Sequence, residues 1–295
     1  MNTKRPRMRK FTVKDFDRQF PNDDACLEWL KNYLYPDGIY CPNCKRVTKH
    51  HKLANRPCYN CDHCNHQVYP TAGTIFHKSA TPLRTWFEVI HRMASTRCGI
   101  SAKQIERETG VTYKTAWRMF KQIRSMLGEN IPMLFGEVEI DDAYIGGVKR
   151  GGKRGRGAPN KTPVVGIVQR KGKVIAEAVP TVSRATVDPM LDEHVAKDAT
   201  ILYTDELRVY DYLTRVGFKH LRINHEARQY VRGQIHTNNI ENFWSLVKRG
   251  ISGAYHAVSP KYLQSYLNEY AFRYNHRFDE TPMFELFLAQ IRASR

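Results

Sequence analysis

Apolar positions along the chain fall into two kinds of pattern, and the kinds are segregated. Between 22 and 34, Cys26, Leu27, Trp29, Leu30, Tyr33 and Leu34 recur at helical spacing, with Asn22 or Asp23 as a cap and Pro36 as a stop, which predicts a short helix. A helical stretch follows from about 81 to 127. Inside it Ser101 and Gln104 form a capping-box pattern, Gly110 supplies a turn, and Thr112 opens a second helix. On that second helix Ala116, Met119, Phe120 and Ile123 fall at i, i+3, i+4 and i+7, one apolar stripe. From 135 onward the runs shorten to strand length, in FGEVEIDDAYIGG, TPVVGIVQR, KVIAEAV and ATILYTDE. Helical stretches are predicted around VDPMLDEHVA and VYDYLTRVG, and two longer helices near 237–250 and 259–275. Strands mixed with helices predict an α/β domain at the C-terminal side.

The stretch from about 38 to 70 fits neither period and is rich in Cys and His. Cys41, Cys44, Cys61 and Cys64 make C-x2-C-x16-C-x2-C, in which each pair points two thiolates at one tetrahedral ion. This predicts one structural Zn²⁺ with no open coordination position, an ion that folds its module rather than catalyses. Cys58 and Cys61 also form a C-x2-C pair, and His51, His63 and His66 are spare donors, so Cys58 is an alternative to Cys64. Cys26 and Cys98 are expected to be ordinary small apolar residues. Seven cysteines, five of them clustered, suit a metal site in a reducing compartment better than a disulfide framework.

Charge then narrows the partner. Lys and Arg total 47 against 29 for Asp and Glu over 295 residues, a net +18, with a pI near 9.7. A polyanion is expected, and the absence of an apolar run near the roughly 18–20 residues that span a bilayer argues against membrane insertion. The start MNTKRPRMRK is basic but no apolar run follows it, so it reads as a disordered or DNA-touching arm rather than a secretory signal. On the 112–125 helix the face opposite the stripe carries Lys114, Arg118 and Lys121. An apolar back and a basic front suit a helix in the major groove, with Thr112, Lys114, Arg118 and Lys121 as DNA contacts. A solvated helical hairpin is the plainer alternative. The tract from 149 to 161, rich in Gly and basic residues, predicts a flexible loop in which Lys153, Arg154 and Arg156 grip a phosphate backbone.

Carboxylates supply the candidate chemistry. Asp141 ends the apolar run VEID and Asp205 ends ILYTD, which brings both to one sheet edge. Glu241, separated from Asp205 by 35 residues, lies on the helix whose core stripe is Ile240, Phe243, Trp244 and Val247. It sits about 110° from the centre of that stripe, and Lys248 falls within about 20° of it, on the same face. Acids brought together repel unless cations bind, and oxygen-only donors select hard ions, Mg²⁺ or Mn²⁺. Two such ions can drive in-line displacement at phosphorus, with Lys248 as a phosphate clamp. Asn238, one turn earlier, offers only a neutral carbonyl and is the alternative third ligand. Asp142 is expected to point to the opposite side of its strand. Taken singly, each acid has a dull explanation as a strand-end or surface ion-pair residue.

CPNC, YNCDHC, GTIFH, GISAKQIERETGVTYKTAWRM, VEIDDAYIGG, YTDE, HTNNIENFWSLVKRGISGAYH and FRYNHR follow one another in this chain. That series resembles Merlin-type insertion-sequence transposases over roughly residues 20 to 280. The resemblance implies a zinc ribbon, a helix-turn-helix and an integrase-type, ribonuclease-H-like catalytic domain. It implies further that Asp141 and Asp205 are the first two catalytic acids, with the third on the HTNNIENFW helix and Lys248 after it. The expected organisation is a basic arm and short helix (1–35), a zinc ribbon (36–78), a helix-turn-helix (79–130) and a catalytic domain (131–295). The expected activity is cleavage at transposon ends and attack of the exposed 3′-OH on target double-stranded DNA. A homodimer or higher oligomer on DNA is expected, in a bacterial cytoplasm at the nucleoid. A structure-specific nuclease and a non-catalytic DNA-binding regulator are the rival classes.

Overall fold

The computed structural model describes residues 8–146, 161–205, 207–222 and 236–292. Two compact units emerge. One comprises Met1–Thr96, Ala102–Met126 and Asp279–Arg295; the other comprises Arg97–Ser101 and Leu127–Phe278.

The first unit begins with α1 (Val13–Gln19), which the apolar pattern did not announce. Its start is a capping box between Thr12 and Asp15, and Phe16 is its buried anchor. Helix α2 (Asp23–Leu34) is capped by Asn22, whose side chain accepts from the Ala25 N–H, and buries Cys26, Leu27 and Leu30. The cysteine-rich stretch makes only very short strands: β1 (Tyr40–Cys41) pairs with β2 (Arg46–Val47), and β3 (His50–Lys52), β4 (Tyr59–Cys61) and β5 (Gln67–Val68) form a small antiparallel sheet. Helix α2 packs on this module, as expected, with the Tyr59 hydroxyl donating to Glu28 at 2.6 Å and Lys52 paired with Asp24. Helix α3 (Leu83–Ser95) buries Trp86, Phe87, Val89, Ile90 and Met93. Helices α4 (Ala102–Thr109) and α5 (Tyr113–Ser125) are joined at Gly110, whose φ of +73° suits glycine. Thr112 caps α5 by accepting from the Thr115 N–H, and the stripe Ala116, Met119, Phe120 and Ile123 is buried.

The second unit is a mixed five-stranded sheet, order β10-β9-β6-β7-β8. Strands β6 (Leu134–Gly146), β7 (Lys161–Gln169) and β8 (Val174–Ala178) form an antiparallel meander, and β9 (Val195–Thr204) and β10 (Lys219–Arg222) extend it in parallel on the other side of β6. Helix α6 (Arg184–His194) makes the crossover that a parallel β6–β9 pair needs. The strands alternate cleanly between two cores. Val138, Ile140, Val165 and Ile167 join Val187 and Leu191 of α6, whereas Ala143, Ile145, Val164 and Val168 join Ile240, Phe243, Trp244 and Val247 of α7 (Asn238–Gly250) together with Leu263 and Leu267 of α8 (Pro260–Asn275). Helices thus cover both faces of the sheet.

The outer edge of β8 is closed by side chains of α8. Asn275 accepts from the Val174 N–H and donates to the Val174 carbonyl, while Gln264 accepts from the Ala178 N–H and donates to the Ala176 carbonyl. The last helix, α9 (Met283–Leu288), returns to the first unit, where Phe284 packs among Phe11, Phe16, Phe20 and His91.

Two expectations change. VYDYLTRVG is not a helix: a 3₁₀ turn at Arg208–Tyr210 is followed by further turns, ended by Gly217 at φ +97°. Tyr210 and Leu213 anchor that segment in the α6-side core, so its apolar spacing reflects burial on isolated turns rather than a continuous α-helical ladder. Cys98 is exposed rather than apolar filling. The 149–161 tract, with Lys153, Arg154 and Arg156, lies outside the described residues except for Lys161.

Candidate active site and metal centre

Cys41, Cys44, Cys61 and Cys64 converge, with all four sulfurs within 4.8 Å of one another. The Cys41–Cys64 and Cys44–Cys61 separations are 3.4 and 3.9 Å. Zinc bonds of about 2.3 Å at tetrahedral angles would set sulfurs about 3.8 Å apart, so the donor set fits Zn²⁺. The residue after each pair, Lys45 (φ 52°) and Asn65 (φ 60°), takes the same left-handed backbone, so the pairs are equivalent turns. Cys58 is buried but stands outside this group. The Thr48 hydroxyl, 3.2 Å from Cys61, holds that thiol down to about 5, as a thiolate ligand requires.

A second convergence lies at the carboxyl end of β9. Strand pairing runs to Ile140 opposite Thr204 and then stops, leaving Asp141 beside Asp205 at the rim of the sheet. Carboxylate oxygens of Asp141, Asp142 and Asp205 all lie within 4.8 Å of one another. Asp142 therefore departs from the expectation that it points away. By alternation it belongs to the α6 face, but Asp205 sits past the end of β9, where both faces of β6 are within reach. Burial, reinforced by the charges of Asp142, Asp205 and, more weakly, Glu241, pushes the Asp141 carboxyl up to about 7, against a 2.8 Å hydrogen bond from the Asp142 N–H.

Helix α7 brings Glu241 to the same place. Asp141, Glu241, Trp244, Ser245, Lys248, Arg249 and Ser252 line a cleft of about 410 Å³. Glu241 accepts from the Thr237 hydroxyl at 2.8 Å, whereas Asn238, exposed at the helix start, does not line the cleft. The helix can lie this close because Gly166, paired with Asp141 across β6–β7, has no side chain: a Cβ there would meet Trp244 at 2.5 Å and Ile240 at 2.7 Å. Past Gly250 the backbone widens into a π turn, Ile251–Tyr255, a form often found at functional sites. Sequence reading missed Arg249, next to Lys248 on α7, and Ser252, which lies within that π turn. It also missed Glu139, which strand alternation from Asp141 would have placed on the same face.

On α5, Lys114, Arg118 and Lys121 are exposed, as is Thr112. Arg118 lies over the Trp86 ring at 5.7 Å and donates to the Thr81 hydroxyl at 3.5 Å.

Residues 133–275 match the model of the ISXO2-like transposase domain, a span that holds Asp141, Asp205 and Glu241. Residues 21–67 match the transposase zinc-ribbon domain, which holds the four converging cysteines. A transposase-like protein of Haemophilus influenzae is 36% identical over 105 residues, 36% of this chain and 83% of that protein. The chain belongs to the insertion-sequence transposases. This transposase is also 29% identical over 276 residues to an uncharacterised protein of transposable element ISH50 from Halobacterium salinarum, covering 87% of this chain and 92% of that one. Among its described residues no helix is long and apolar enough to cross a membrane.

Proposed function

We propose that this transposase hydrolyses a phosphodiester at each end of its element and then joins the exposed 3′-OH to target DNA. The observation that carries this reading is the convergence of the Asp141 and Asp205 carboxylates beside Glu241 and Lys248. An all-oxygen donor set with a raised carboxyl suits hard divalent cations, Mg²⁺ or Mn²⁺. Two such ions, when bound, activate the attacking oxygen and stabilise the leaving one. Asp141, Asp205 and Glu241 are the proposed ligands. Glu241 is preferred to Asn238 because it shares the cleft with Asp141 and adds to the charge that raises it. Lys248 neutralises a phosphate oxygen at the mouth of the cleft.

The sheet order, with the acids at its central strand and the neighbouring parallel strand, supports a ribonuclease-H-like fold for the second unit. Helices α4 and α5, with a buried stripe and an exposed basic face, support a helix-turn-helix reading the element's ends through Thr112, Lys114, Arg118 and Lys121. The cysteine module holds Zn²⁺ and shapes its own end-binding surface. Lys153, Arg154 and Arg156 are proposed backbone contacts by charge. Two ends cut in concert call for at least a dimer on DNA, in the cytoplasm at the nucleoid.

Incubating the protein with Mg²⁺ and DNA carrying the element's ends, beside Asp205→Ala, tests the reading. Wild type should yield joined products and the variant none. Equal cleavage by both rejects the site, and cleavage without joining makes the protein a nuclease.

A further inference from the structure

Glu139 is fully buried, two residues before Asp141 and on the same face of β6. Its carboxylate is spent on the first turn of α7: Oε2 accepts from the N–H groups of Asn239 (2.8 Å) and Ile240 (3.0 Å), and Oε1 accepts from the Asn239 side chain (2.7 Å). Arg170, itself nearly buried, donates to Oε1 at 2.8 Å and to the His236 carbonyl at 2.6 Å, and the His236 ring lies 3.3 Å from Oε1. A helix start ordinarily finds such acceptors in its own N-cap side chain. Here the N-cap residue is Thr237, and its side chain makes no cap hydrogen bond. The Thr237 hydroxyl donates to Glu241 instead, at 2.8 Å.

The two facts fit together. Because β6 supplies the cap, Thr237 is released to hold the acid one turn on, and the helix is fastened to the strand that carries Asp141. We infer that Glu139 is a positioning residue: it caps α7 from the neighbouring strand and thereby sets where Glu241 stands relative to Asp141. The inference rests on the proposal that these acids bind divalent metal. A carboxylate does this better than an amide. It presents only acceptors to two backbone N–H groups, an amide NH₂ and a guanidinium, whereas glutamine would turn a donor against donors.

The experiment uses the whole 295-residue chain, zinc-loaded, and its Glu139→Gln, Thr237→Val and Asp205→Asn variants. Hydrogen exchange is read at Asn239 and Ile240, Mn²⁺ binding by the free-ion electron paramagnetic resonance signal, and Mn²⁺-dependent nicking on supercoiled plasmid. In Glu139→Gln, exchange at the two amides should rise about 5- to 30-fold, as for loss of a cap. Mn²⁺ affinity should fall about 10- to 100-fold, with nicking restored by raised Mn²⁺, the pattern of a displaced ligand rather than a lost one. Unchanged exchange, or Mn²⁺ affinity within about twofold of wild type despite faster exchange, overturns the inference. Should Glu139→Gln fail to fold, Thr237→Val decides: it keeps the cap, so exchange should hold while Mn²⁺ affinity drops severalfold, and unaltered affinity overturns the inference. Asp205→Asn reads the parent proposal separately. Mn²⁺ binding equal to wild type in that variant removes the metal site, and the inference with it, whatever Glu139→Gln does.

Discussion

The molecule gathers candidate metal ligands twice, by opposite routes. The four cysteines come from one short stretch of sequence: Cys41 and Cys61 end strands of two and three residues, too short to form a core of their own, and Cys44 and Cys64 lie in the turns that follow. The acids come from β6, from the end of β9 and from α7, far apart in sequence, and each stands on an element with a buried face. In the first case an ion would complete the fold; in the second the fold holds like charges together before any ion arrives. A folding site should therefore answer to metal loss with structure, and a prepared site with chemistry.

Removing zinc offers the largest effect. Structural zinc contributes about 10–16 kcal/mol in small modules, so chelation or Cys41→Ser should abolish hydrogen-exchange protection across 40–68 while the five-stranded sheet keeps its own. Loss of protection in both would erase the distinction. Next in size, Asp205→Asn should lower Mn²⁺-dependent cleavage by at least about 10²-fold, since metal-borne charge stabilisation is worth several kcal/mol of barrier. Its Tm should match or exceed that of wild type, because a repulsive charge has gone; a markedly lower Tm would make Asp205 structural. Gly166→Ala should destabilise by about 1–3 kcal/mol in urea unfolding through the Trp244 and Ile240 collision, and weaken Mn²⁺ binding as α7 is pushed off. Full Mn²⁺ affinity in a destabilised Gly166→Ala would uncouple helix position from the site.

The smallest effect concerns pH. With Asp141 raised from 3.8 to about 7, the folded, metal-free protein binds more protons than the unfolded chain between those values, so this group's contribution to stability falls as pH rises through that window. A divalent cation replaces the proton. The Mg²⁺-induced rise in Tm should accordingly be larger at pH 8 than at pH 5, and Asp141→Asn should flatten that trend. A wild-type increment independent of pH would argue that Asp141 is not a ligand.

Legibility in the sequence followed the same division. The cysteine pairs are local and were readable from spacing, and the α5 stripe and the α7 boundaries followed from period and caps. Asp205 was readable as a strand end, and Asp141 as the end of an apolar run, although β6 continues past it to Gly146, paired there with β7 alone. What escaped depended on distant partners. Helix α1 has too few apolar residues to show a stripe, although its Thr12–Asp15 box was there to be seen. Asp142 joins the cluster only because β9 stops where it does, and Glu139 gained its meaning from a helix about 100 residues away. The return of α9 to the first unit rests on Phe284 meeting rings from the opposite end of the chain, a match that no local pattern encodes.

The closed edge of β8 bears on how copies of this protein can meet. An open strand edge is a template on which another chain can grow, and basic proteins that crowd along one polyanion meet at high local concentration. Asn275 and Gln264 imitate the backbone of a missing strand, each giving and taking as a peptide unit would. A newcomer would have to break those bonds to make equivalent ones, an exchange with little net gain. Sheet extension at β8 is thereby discouraged, and copies of the chain in the dimer proposed on DNA would have to recognise one another through other surfaces.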